Sequence, residues 1–393
     1  MTIQSFFPFL AGFSFNFGVG LINIFTGFSI LMCFYFTVKK KCSFNFPFIY
    51  IFFVLYFVAE LVSFLLSPFH PVSRRLSGDL WRSIWIPLAF SLWKSVDMNI
   101  RNFYYAFWVT GAVVAVTTIP VTIVNLGKRG WLSGFRPAGF SGHPMTYSGL
   151  LIILLSSLIV YLVERFRYLE KLERFLLISG LFLILVGLIL NRTRSAQIAV
   201  FLVLLFFLIL KFRYKGIIIT AIFGVILALM ILLTPARYRW KHTLAGLKSG
   251  FNPSSSEGTR IILWKYAWRE FLNRPITGNG PGTFREMINR YPVARKLAST
   301  CHAHNDYLQV LYETGMLGFI TFFSFWFYAL FKFLLRYLKE QDLYAGMVAF
   351  SISGILTAGF FECNLFDAEI VMLLYFLTGM ILGVESKERE DSV

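Results

Sequence analysis

The sequence predicts an all-α, polytopic helical membrane protein of about twelve transmembrane helices, most of its polar residues gathered in one large loop. Three observations predict this class. Apolar residues make up 57% of the 393 positions and charged residues 15%, with 46 Phe, against roughly 25% charged in soluble domains. Several apolar runs exceed the roughly 18 residues that mark a membrane span. Lys and Arg are segregated by loop, as they are in proteins oriented by the positive-inside rule. Soluble, disordered and disulfide-scaffold architectures are excluded on these grounds.

Taken in order, candidate spans lie near 18–38, 47–67, 79–96, 102–125, 145–163, 174–190, 195–211, 215–234, 315–336, 343–361 and 366–384. Segment 5–16 is short for a span, and 5–38 is too long for one crossing at about 1.5 Å per residue. It is a further short helix or a re-entrant piece. The first basic residue is Lys39, so no basic region precedes the first apolar stretch and no cleavable leader is expected.

Loops at 39–41, 94–101, 165–174, 211–215, 332–339 and 387–389 hold 17 Lys and Arg, against 8 at 74–82, 128–136 and 192–194. The first set is expected to be cytoplasmic. That puts 236–314 outside, between N-terminal helices (1–235) and C-terminal helices with a short cytoplasmic tail (315–393). In the outer segment, 258–275 (GTRIILWKYAWREFLNRP) reads as an amphipathic interfacial helix closed by Pro275, GNGPG (278–282) as a turn, and a second helix starts near Thr300. The net charge of +17 would suggest nucleic acid in a soluble protein, but here the charges belong to loops. The four cysteines form no metal or CxxC spacing; Cys301 and Cys363 both fall on the side where a disulfide is permitted.

The chemistry-bearing residues concentrate on that outer side. Arg136 (in GFRPAGFSGHPM), Arg192 and Arg194 (in NRTRSAQ) and Arg260 stand at membrane boundaries. A guanidinium there must snorkel, pair with an acid or headgroup, or meet a ligand. Several on one face with few acids favour a diphosphate, whose oxygens match the guanidinium fork. In CHAHNDYLQVLYETGMLG (301–318), His302 and His304 precede Asn305 and Asp306 at a helix start. The positive helix end disfavours imidazolium, so a histidine there can accept a proton. The alternative is a purely structural pair. No third ligand completes a metal site and no DxD holds a divalent ion, so neither metal nor cofactor is expected. Glu60, inside a span, is expected to pack against a polar neighbour. A transporter would call for broken helix pairs, internal repeats and mid-span ionisable groups; Glu60 alone answers to that description.

The motifs RPAGFSGHP (136–144), NRTRSAQ (191–197), GTRIILW (258–264), GNGPGTF (278–284) and HAHNDYLQVLYETGMLG (302–318) resemble the O-antigen ligase family. That superfamily also includes O-antigen polymerases and protein O-oligosaccharyltransferases. The resemblance implies a multi-pass protein of the bacterial inner membrane with one large periplasmic loop and its active site on the periplasmic face. It implies metal-independent, inverting transfer of a glycan from undecaprenyl diphosphate to a sugar of lipid A-core, in the assembly of lipopolysaccharide. The donor and acceptor, both lipid-borne, and the membrane lipids are its partners; nucleic acid is not. By motif position, His304 would be the general base, and Arg194 and Arg260 would bind and stabilise the diphosphate. Arg136, Arg192, His302, Asn305 and His143 complete the expected substrate-binding set.

Overall fold

The computed structural model describes residues 3–129, 135–250, 255–291 and 302–391. They are helical throughout, with no strand among them. Eight helices are long and apolar enough to cross a membrane. These are α2 (Val19–Val38), α6 (Ile100–Arg129), α7 (Pro144–Arg165), α8 (Lys171–Asn191), α9 (Arg194–Phe212), α10 (Tyr214–Leu232), α14 (Asp306–Glu340) and α16 (Ala368–Asp391). Two shorter apolar helices, α3 (Tyr50–Leu65) and α15 (Leu343–Ala358), accompany them. The protein is therefore a multi-pass membrane protein.

α7 and α16 are the most enclosed of the spans, while α10 leaves most of its surface outward. That outward surface is Ile, Val and Leu, which lipid accommodates as readily as a protein core does. α16 packs along α5 (Trp85–Ser95), and its Gly379 and Gly383 admit the backbone carbonyls of Ile86 and Phe90. Close approach through small residues is the usual device of helices in lipid, where no hydrophobic drive pulls them together. An aromatic cluster of Phe15, Trp85, Trp93, Phe103 and Phe376 fills the seam.

The segment before α2 forms α1 (Ile3–Ser14), packed lengthwise on α6. The Asn99 amide donates to the Gln4 carbonyl at one end, and Asn16 donates to Phe107 and Thr110 at the other. The expected span 79–96 is instead two helices, α4 (Ser73–Ser83) and α5. Arg75, Asp79 and Arg82 make the first too polar for lipid, so it ends where the Trp85 apolar run begins.

α11 (Ala236–Ser249), α12 (Ser256–Asn273) and α13 (Phe284–Asn289) lie at the same end of the bundle as α4. Leu263, Ala267, Phe284, Met287, Ile288 and Tyr312 give this layer a small apolar core of its own, closed by Phe69. The expected helix near Thr300 begins at Asp306, capped by the Asn305 side chain on the Leu308 amide at 2.9 Å. It is broken at Gly315, whose φ of 64° and ψ of −163° are open essentially to glycine alone. The break frees backbone groups that lipid could not satisfy. Strap residues 275–280 take them up: Met316 donates to the Pro275 carbonyl and Leu317 to that of Ile276, while the Asn279 and Gly280 amides donate to the carbonyls of Tyr312 and Glu313. GNGPG is thus a turn that also braces the break.

Candidate active site

His304 sits in a left-handed turn (φ 52°) just ahead of α14. Every neighbour of that turn is tied down. The Ala303 amide donates to Gln309 Oε1 (2.7 Å), Trp264 Nε1 donates to the Ala303 carbonyl (2.9 Å), and the Asp306 amide donates to Gly359 (2.8 Å). Asn305 Nδ2 donates to the Phe360 carbonyl at 2.9 Å. The buried Asp306 carboxylate accepts the Leu365 amide at 3.2 Å. Asn305 and Asp306 therefore hold the backbone on both sides of the α15–α16 connection rather than touching the imidazole.

What touches the imidazole is Glu362, from that connection. Its Oε2 lies 2.9 Å from His304 Nδ1, and its Oε1 accepts from Arg260. Burial pushes the Glu362 carboxyl up, but Arg260 and the His304 bond outweigh this, and the net shift is downward. Glu362 is 58 residues from His304 and belongs to none of the recognised motifs. No local spacing could have revealed it.

His302 stacks edge-on to His304 with ring centres 4.3 Å apart, and its Nδ1 accepts the His304 amide. Burial, followed by the charge of His304, holds His302 down to about 4. His143 caps α7 through the Met145 amide. A cavity of about 610 Å³ is lined by His143, Met145, His302, His304, Glu362 and Arg75, among others.

The arginines gather beside this cavity. Arg136 donates to Met145 Sδ (2.9 Å), to the Asn191 carbonyl and to Thr193. Burial, reinforced by Arg260, Arg194 and Arg192, depresses it to about 10 against a partial pull from Glu362. Arg194 pairs with Glu257 and donates to Thr243. Arg192 is different: it caps α8 in the left-handed region and donates to the carbonyls of Phe135 and Pro235 at 3.1 Å each. It straps loops together.

The reading of the sequence missed Arg239, on α11. Burial depresses it to about 9, and Arg136, Arg194, Arg260 and Arg192 all push in the same direction. No carboxylate pairs with it among the described residues. Its signal was masked because 236–249 carries basic residues on every side. Glu60 packs among polar groups as expected, with Asp79, Arg75 and Glu313 in Coulomb range of its carboxyl. The Cys301–Cys363 pairing falls outside the described residues.

Residues 179–323 match the family model described as O-Antigen ligase. Over that stretch, a little over a third of the chain, the protein is similar to the O-antigen ligase family. It takes in Arg194, Arg239, Arg260 and His304, whereas Arg136, His143 and Glu362 lie outside it. Members of the O-antigen ligase family are glycosyltransferase-like enzymes. A relative from Haemophilus influenzae (strain ATCC 51907 / DSM 11121 / KW20 / Rd), named as an uncharacterized protein, is 26% identical over 129 residues. The similarity covers 30% of this chain and 32% of that relative, less than a third of its length.

Proposed function

We propose that this protein is a metal-independent, inverting glycosyltransferase that moves an O-antigen glycan from undecaprenyl diphosphate to a sugar of lipid A-core, working at the periplasmic face of the inner membrane. The observation that carries this reading is the Arg260–Glu362–His304 chain beside a group of arginines that outnumber their acids. With Nδ1–H donated to Glu362, His304 keeps Nε2 as proton acceptor. An acceptor hydroxyl gives that nitrogen its proton as its oxygen attacks the anomeric carbon. The bond to the diphosphate breaks, and the electron pair leaves on the bridging oxygen.

A glycosyl diphosphate already carries a good leaving group, so fixed positive charge and positioning supply most of what is needed. Arg136, Arg194, Arg239 and Arg260 are assigned to the diphosphate. Arg192, engaged with two carbonyls, is assigned to holding them in place. His143 and His302 line the space where the sugars lie.

The test is transfer by purified protein from undecaprenyl-diphosphate glycan to lipid A-core, with EDTA present. Activity that persists in EDTA and disappears in folded His304→Ala supports the reading. Elongation of the lipid-linked glycan in place of transfer to lipid A-core makes the enzyme a polymerase; transfer to a protein hydroxyl makes it a protein O-oligosaccharyltransferase. Lack of transfer to any acceptor, with lipid-linked substrate crossing proteoliposome membranes, makes it a transporter. A covalent glycosyl-enzyme would overturn inversion.

A further inference from the structure

A second cavity, of about 550 Å³, lies between the first turn of α2, helix α4 and the start of α16. Arg75 and Gly282 line both this cavity and the central one, so the two meet there. Met145, which also lines the central cavity, receives the Arg136 hydrogen bond. The histidine-lined space therefore has an arginine group at one side and this second opening at another.

The lining has a consistent chemistry. Arg74, Arg75 and Arg82 line it; Asp79 pairs with Arg75 at 3.4 Å and with Arg82 at 2.8 Å, while Glu60 and Glu313 also act on Arg75, and Asp367 on Arg82, through Coulomb attraction. Arg74 is exposed, and no carboxylate pairs with it among the described residues. Trp81 is held by its Nε1 bond to Asn23 (3.0 Å) and leaves part of its ring open. Val19 and Val72 expose apolar surface at the same mouth. Arginines with an aromatic plate and an apolar rim suit a phosphate-bearing sugar attached to a lipid.

We infer that this cavity is the acceptor subsite, taking a phosphorylated glycolipid whose sugar reaches His304 past Arg75 and Gly282. The inference rests on the glycosyl-transfer reading and adds to it the route and the charge of the acceptor. The donor diphosphate occupies the other side, so the two lipids approach His304 from separate openings.

Two variants test it. Gly78→Leu would fill the cavity, since a side chain there meets nothing nearer than the Arg82 guanidinium at 3.6 Å. Arg74→Glu reverses an exposed charge without a bonded partner to disrupt. Lipid A-core, its phosphate-free form and phosphatidylglycerol are compared by native mass spectrometry, and acceptor and donor KM are measured separately. The expected result is at least fivefold weaker binding of lipid A-core in both variants. Acceptor KM rises to match, donor KM stays within twofold, and wild type prefers the phosphorylated form. Undiminished binding in both folded variants overturns the assignment. So does phosphatidylglycerol competing equally while acceptor KM is unmoved, which would make this an ordinary lipid site. Variant-sensitive binding in a wild type that transfers to no acceptor upholds the site and defeats the glycosyl-transfer reading.

Discussion

His304 owes its proposed role to a carboxylate that holds its Nδ1 while the residue lines the cavity. Removing a general base costs about 10²–10⁴-fold, so loosening its orientation and charge balance through Glu362→Gln should lower kcat by about ten- to a hundredfold. Rate measurements at saturating donor and acceptor check this. Arg239 makes a different prediction. It is half-buried among four other guanidiniums, a placement that costs stability until an anion arrives. Arg239→Gln should therefore raise the donor KM about tenfold, the size of one charge-assisted contact of about 1.5 kcal/mol, while raising the melting temperature of the ligand-free protein. His302 supplies the pH dependence. Its folded-state value of about 4 lies below the ordinary 6.5 or so of an unfolded chain. Between those values the unfolded state binds more protons, so stability falls as pH drops from 6.5 toward 4. Above 6.5 both states are neutral and the group contributes nothing. Melting curves of His302→Gln should be flatter than wild type across that window.

At the scale of elements, the break in α14 and the strap 275–280 form one device. A Cβ at Gly315 would stand 2.3 Å from the Ile276 carbonyl oxygen, and one at Gly278 would stand 2.5 Å from that of Glu313. Gly315→Ala must therefore both distort the strap and force alanine into a region it avoids. The expected destabilisation is about 1–3 kcal/mol from backbone strain alone, read as a lower melting temperature and loss of the His304 turn packed above. Gly127, with open space around it, is the control position, where alanine should be neutral or mildly stabilising. The polarity of α4 shows why a span reading failed there. Hydropathy averaged over 79–96 blends a charged helix with an apolar one, whereas the boundary falls where the Trp85 apolar run begins.

At the scale of the whole molecule, charge segregation makes an orientation prediction. Cysteines introduced at Lys248 and at Lys40, in a background with the native thiols replaced, should differ in labelling by an impermeant reagent added to intact cells. Residue 248 should react and residue 40 should not; the reverse would invert the topology on which the periplasmic assignment depends. Beneath the basic end of α14, Arg336 joins Asp342, Glu385 and Glu388 in an ion-pair cluster with Lys332 and Arg389. This cluster ties the ends of α14 and α16 together at the end of α14 opposite His304.

Much of this protein was legible in one dimension. Membrane class, the long helices, a helix beginning near 258 and the arginine- and histidine-bearing motifs follow from composition, hydropathy and local spacing, because lipid imposes the same demand on every residue of a span. Gly278–Gly282 as a turn was a local fact as well, whereas the Asn305 cap on the Leu308 amide came only with the structure. Tertiary structure alone decided which acid meets His304, that Arg192 is a strap and Arg239 a member of the cluster, and that Arg75 stands where two cavities join. Those outcomes depend on connections distant in sequence being brought within hydrogen-bond or Coulomb range. A carboxylate at 362 has no local signature that marks it as the partner of an imidazole at 304.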